Sequence, residues 1–178
     1  MARVLLKLFA WLFAFSAILA AQQSKKEDPW GPVKFLLGEW IGEGGGQPGE
    51  SAGGFSFQPD LQGKILLRKS YAEYPATKDR AAYRHDDLTI VYRESGDEDL
   101  RAVYFDNEGH VIRYVLRAGD GGNSVQFLSE ASPKGPRFRL TYVKTGDDKL
   151  SLKFEIALPG QPDAFSTYIE AKARRVSR

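Results

Sequence analysis

The 178-residue chain has no cysteine. Disulfides, thiolate metal centres and lipid attachment at an N-terminal cysteine are therefore excluded. Histidine occurs only twice, at His85 and His110. Two imidazoles are too few for a metal centre built mainly on histidine, so any such site must borrow carboxylates. Charge of one sign is also scarce, since 25 Lys and Arg face 23 Asp and Glu for a net +2. No serine sits in a Gly-x-Ser-x-Gly elbow, which removes the usual turn-held nucleophile. Gly44-Gly45-Gly46 is followed by no Gly-Lys-Ser/Thr, so it reads as the end of a strand and not as a phosphate loop. A long amphipathic helix, a βαβ alternation and a fixed-period repeat are all missing. The apolar run Leu8–Ala21, broken only by Ser16, falls short of the ~17 residues that a membrane-spanning helix needs.

That run follows a basic start, Arg3 and Lys7, and ends in Ala20-Ala21. Basic, apolar and small segments in this order read as a secretory signal over residues 1–21. Residues 22–28 read as a flexible tail and residues 29–178 as one domain. Arg3 and Lys7 account for the whole positive excess, so the mature chain is neutral. A basic footprint for nucleic acid or an anionic membrane is thereby lost. The predicted protein is exported, periplasmic or extracellular, with no membrane span once the signal is removed. It must be held together by its core alone.

Asp28-Pro29 has the form of a helix start. Trp30, Val33, Leu36 and Leu37 line one face of a short turn, which Gly38 stops. Beyond Trp40 the pattern changes to short alternating segments closed by turn residues. The predicted strands are 40–44, 52–58, 64–74, 87–93, 100–105, 110–117, 125–130, 137–144, 150–157 and 165–173. Asp106-Asn107-Glu108-Gly109 is the clearest hairpin turn. Ten strands joined by sequential hairpins favour an antiparallel up-and-down sheet, and closing it removes exposed edges. The predicted class is all-β, a roughly ten-stranded barrel with a short N-terminal helical turn.

The segment Leu36-Leu37-Gly38-Glu39-Trp40-Ile41-Gly42-Glu43-Gly44 carries a resemblance. Its Gly-x-Trp on a first strand, with a basic residue on the last, resembles the calycin group of lipocalins, fatty-acid-binding proteins and nitrobindin-like haem barrels. The longer pattern is most similar to the nitrobindin-like end, including secreted single-domain proteins of uncharacterised function. The resemblance implies a lipocalin-like container. It also implies that Trp40 packs at a closed end under a basic residue. Arg174 is assigned that place, with Arg175 as the neighbouring alternative. In nitrobindin-like barrels a histidine near the start of the last strand holds haem. Tyr168 stands at the matching position, so no cofactor is expected, and haem through Tyr168 is the disfavoured alternative.

The residues themselves offer a candidate ligand-binding set of Tyr104, Tyr114, Arg139, Tyr142 and Tyr168. The tyrosines are drawn from an aromatic supply large enough to line a cavity, although most strand aromatics fill core. Arg137 and Arg139 share one strand face, opposite Phe138, Leu140 and Tyr142. If the arginine face is internal it suits a carboxylate or phosphate head group; arginines more often face water. His85 and Asp87 share a face that excludes Asp86, and His110 starts a strand near a barrel rim. The predicted function is binding of a small, largely apolar or amphipathic ligand without catalysis. A nitrobindin-type haem protein and a filled structural barrel are the alternatives. The expected product of export is a chain whose intact mass lacks residues 1–21. A mass spectrum of the exported protein that still contains Met1–Ala21 would overturn the signal assignment.

Overall fold

The computed structural model describes residues 28, 30–44, 52–132 and 134–177. The leader 1–21, the tail 22–27 and Gly45-Gly46 lie outside the described residues. The chain divides into one unit up to Gly31 and a second over residues 32–178. In the first, the Asp28 carboxylate accepts the Trp30 N–H at 3.1 Å, as a capping residue does. The 3-10 turn Gly31–Leu36 follows, with Val33 and Leu36 fully buried.

The second unit is a closed antiparallel barrel. Its strands are β1 (Gly38–Gly42), β2 (Ala52–Asp60), β3 (Ile65–Tyr74), β4 (Tyr83–Arg93) and β5 (Leu100–Asp106). The remainder are β6 (Val111–Ala118), β7 (Ser124–Ser129), β8 (Arg137–Gly146), β9 (Lys149–Ala157) and β10 (Ser166–Arg175). Each pairs with its sequence neighbour, and β1 pairs with β10 to close the ring. The ten predicted strands all form. The largest boundary difference is β4, which starts at Tyr83 and not at Asp87. Its first four residues, Tyr83 to Asp86, carry no aliphatic alternation, so hydrophobic period alone does not reveal them.

Alternation assigns the faces. Phe57, Arg68, Thr89 and Tyr104 stand in register across β2 to β5. Tyr142, Leu152 and Ala171 do so across β8 to β10. Both rows lie on the inner face, which is buried at Phe57, Arg68, Thr89 and Tyr142 and exposed at Ala171. Tyr142 reaches across the lumen, its ring centroid 5.7 Å from Phe55, 5.9 Å from Phe57 and 5.8 Å from Phe127. The middle of the barrel is thus filled with aromatic rings.

One cluster joins the first and last strands. The Arg175 guanidinium lies 4.2 Å from the Trp40 ring centroid. It also donates to the carbonyl oxygens of Leu37 and Phe35 and to Asp148. The Trp40 indole N–H donates to Leu36 O at 2.8 Å. Gly38 has φ +116°, and a Cβ there would stand 2.6 Å from Arg175 Nη1. Both the conformation and the approach of the guanidinium therefore require glycine.

This corrects the assignment of Arg174. Arg174 stands opposite Ile41 on the outer face and is exposed, whereas Arg175 stands opposite Trp40. Successive residues of a strand point to opposite faces, so only one of the two arginines can cover the indole. Arg175→Ala is expected to cost about 1–3 kcal/mol, from a cation–π contact plus several hydrogen bonds. Arg174→Ala should stay within about 0.5 kcal/mol of the parent. Urea unfolding of both variants checks this; equal losses would contradict the assignment.

Candidate functional site

The barrel has a closed end and a half-open end. Leu66, Val91, Leu100, Val125 and Leu150 are buried on the inner face at one end. At the other end, inward-facing side chains are only partly covered among the described residues. Phe138, Leu140, Phe154 and Ile156 form an apolar wall there on β8 and β9, with Phe138 and Phe154 stacked at 5.9 Å. Facing residues of β3 to β5 are polar: Arg68, Ser70, Asp87, Tyr104 and Asp106.

Arg68 is the central group of that polar wall. It is 8% exposed and ion-paired through Nη1 to Asp87 Oδ1. Its guanidinium also lies 5.4 Å from the Phe55 ring centroid. An arginine cannot be neutralised by losing its proton, so a buried one needs a partner. Asp87 supplies it. Arg68 Nε and Tyr142 Oη are fully buried. The guanidinium and the phenol stand side by side, where the Tyr142 hydroxyl can accept a hydrogen bond from Arg68. Burial pushes the Tyr142 phenol up, and that outweighs the downward pull of Arg68. Tyr142 is therefore a protonated donor at neutral pH. Burial likewise raises Tyr114 and Tyr104.

Nearer the rim, the Tyr104 hydroxyl donates to Asp106 Oδ2 at 3.1 Å and lies 3.0 Å from His85 Nε2. His85 Nδ1 lies 3.1 Å from Glu108 Oε1. The Asp106 carboxylate also accepts the backbone N–H groups of Glu108 and His110, at 3.0 and 2.8 Å. The His110 ring nitrogen Nδ1 adds a contact of 2.8 Å. Gly109, with φ +90°, closes the same turn by donating to Asp106 O. Burial pushes the Asp106 carboxyl up, but the donors of His110, Tyr104 and Glu108 outweigh it and hold it below the ordinary carboxylate range. Both histidines are thus engaged with this hairpin. Among the described residues no group of three His, Asp or Glu side chains could hold a metal ion.

The five proposed ligand residues divide. Tyr104, Tyr114 and Tyr142 converge on the inner face around Arg68. Arg139 does not join them, and its place corrects the internal-arginine expectation. Phe138, Leu140 and Tyr142 take the inside of β8, which turns Arg139 outward. There it is bidentate to Glu155 at 2.6 and 2.9 Å and stacks 4.1 Å from the Phe165 ring centroid. Tyr168 is a second correction. It falls at an irregularity between Thr167 and Ile169, is 69% exposed and meets the Phe154 ring edge-on at 6.2 Å. Regular alternation from Ala171 and Ala173 places Ile169 on the inner face, so Tyr168 is not an inward-phase residue of β10. No cation lies over its ring among the described residues, and an exposed phenol beside a phenyl ring does not fit ferric-haem ligation.

Arg68 is the residue that sequence reasoning missed, and Asp87 was singled out only for the face it shares with His85. A signal existed. Arg68 is in phase with Leu66, and Asp87 with Thr89 and Val91, on their buried faces.

A groove of about 700 Å³ lies elsewhere, over the outer face of β1 to β5. Ile41, Tyr71, Leu88 and Phe105 line it. No polar side chain lining it is both buried and unpartnered among the described residues. Charges at one edge are answered, where Arg84 pairs with Glu73 and Asp86.

No family model matches the sequence, and no curated protein is similar to it.

Two outcomes follow from the geometry. Tyr142→Phe removes the hydroxyl beside the buried Arg68 guanidinium, so stability should fall by about 1–3 kcal/mol. An unchanged or raised urea midpoint would mean that the hydroxyl does nothing for Arg68. Asp106 contributes through a depressed pKa. Its stabilisation is full above the unfolded value near 3.9 and is lost as pH falls through the lower folded value. The urea midpoint of the parent should therefore drop below about pH 4, and Asp106→Asn should remove part of that acid dependence while weakening the fold at pH 7. Parallel pH profiles would contradict this.

Proposed function

We propose that the protein is an exported barrel that binds a small, largely apolar molecule at the half-open end of its lumen, without catalysis. The observation that carries this reading is the incompletely covered inner wall of Phe138, Leu140, Phe154 and Ile156, which faces the polar side chains Arg68, Ser70, Asp87 and Asp106. The apolar wall provides the surface that a small-molecule site needs for affinity. Export rests on the leader pattern of residues 1–21. A place among the calycin-like proteins, nearest in pattern to the nitrobindin-like group, is supported by the closed ten-stranded ring and the Gly38, Trp40 and Arg175 cluster.

A second reading, a filled structural or interaction barrel, is favoured by the aromatic packing of Phe55, Phe57, Phe127 and Tyr142 across the lumen. Native mass spectrometry of the mature chain, residues 22–178, exported by a host, separates the two. Binding predicts a reproducible small-molecule mass above the denatured mass, reduced in Arg68→Met. A bare mass, with no gain on adding an apolar amide, would favour the filled barrel.

A further inference from the structure

We propose that the protein pairs with a second copy of itself through the outer face around β2, with a twofold axis running along that strand. The pairing is independent of the lumen reading, because it uses only side chains on the outside of the ring.

The outer groove of about 700 Å³ supplies the surface. Phe105 and Val176 on it are each 39% exposed, and Ile41, Tyr71 and Leu88 are half-buried. Contiguous apolar area left open in this way marks an interaction surface. The floor is low at β2, where the outward residues are Gly54 and Ser56 between larger neighbours on β1 and β3.

The order of side chains across the groove selects the occupant. One row reads Val176, Glu39, Ser56, Lys69 and Leu88. Val176 holds its place in that row by donating its N–H to Glu39 O at 2.9 Å. The row is self-complementary about Ser56: acid stands opposite base, and aliphatic opposite aliphatic. The adjacent outward row reads Arg174, Ile41, Gly54, Tyr71 and Asp86. It is self-complementary about Gly54, with apolar opposite apolar and base opposite acid. A twofold axis along β2 exchanges the halves of both rows at once. Glu39 then meets the partner's Lys69, Val176 the partner's Leu88, Ile41 the partner's Tyr71 and Arg174 the partner's Asp86. Such reciprocal contacts define an isologous interface.

The charges have capacity for this. Glu39 and Lys69 are exposed and make no ion pair among the described residues. Two strand spacings separate them, on the order of 10 Å, which is too far for them to pair within one chain. Asp86 is bonded to Arg84, yet its side chain is 51% exposed and can accept again. An asymmetric partner would need only one half of each row to match it. A second copy uses both halves.

Sedimentation equilibrium of the mature chain, from roughly 1 to roughly 100 μM, reads the association. The expected result is a mass that rises with concentration to twice that of the monomer. Glu39→Lys sets like charges together twice in each dimer and should weaken pairing about tenfold or more, as should Lys69→Glu. The combined Glu39→Lys and Lys69→Glu exchange restores the complementarity and should return pairing to within about threefold of the parent. Both positions are exposed, so the barrel itself is not at risk. The chain has no cysteine, so Ser56→Cys supplies a single thiol at the axis. A short bismaleimide should then link two copies, whereas Ser151→Cys, on the outer face of β9, should give little linked product. A monomeric mass throughout would overturn the inference and leave the groove to a segment of the same chain or to a different partner. A dimer that both single variants leave intact, that the exchange does not restore, or that links equally well at Ser151 would overturn the use of this face.

Discussion

The closure of the ring depends on one contact, the Arg175 guanidinium over the Trp40 indole. A barrel exists only if the first and last strands meet, and here they share a short register of Trp40 to Gly42 against Ala173 to Arg175. So few ladder pairs need reinforcement. Arg175 provides it by stacking on Trp40 and bonding to Leu37 O and Phe35 O, so that the turn before β1 is tied to the end of β10. Gly38 is the condition for this arrangement, because any side chain there would collide with the guanidinium. The three residues form a unit in which each explains the others.

With the ring closed, ten alternating strands define a lumen whose contents are unequal along the axis. The closed end is aliphatic. The middle is a cross-barrel group of aromatic rings around Tyr142. The open end carries an apolar wall on β8 and β9 and a polar wall on β3 to β5. Burial of Arg68 is tolerated because Asp87 answers its charge; removing either alone would leave an uncompensated buried ion. The Tyr142 hydroxyl stands beside the same guanidinium. The rim hairpin contributes order. Asp106 collects its turn's backbone donors, Tyr104 and His110, and so fixes the wall against which a ligand would lie.

Much of this was legible in the linear pattern and part was not. Ten strands and their hairpins were readable because a half-buried strand alternates with period two. Asp106 to Gly109 was readable as a turn because aspartate and glycine have defined roles there. The start of β4 was not, since Tyr83 to Asp86 are largely exposed and lack apolar residues. Tyr168 was chosen for its aromatic ring and its match to a histidine position in similar barrels, and neither reports which face of β10 it takes. Arg139 was considered for the inside as one of two in-phase arginines; the competing face, with Phe138, Leu140 and Tyr142, is far more apolar and won. Arg68 was passed over because an arginine is taken for a surface residue unless its phase with Leu66 is weighed.

The sequence by itself determined the fold class, the strand order and the need for a core without disulfides. These follow from local alternation, turn chemistry and composition, which require no knowledge of distant partners. Tertiary structure alone decided that Arg175 closes the ring, that Asp87 answers Arg68, and that Tyr142 meets both the rings of β2 and the guanidinium of β3. Those outcomes depend on which residues distant strands bring together, and that is set by register and by the curvature of a closed sheet.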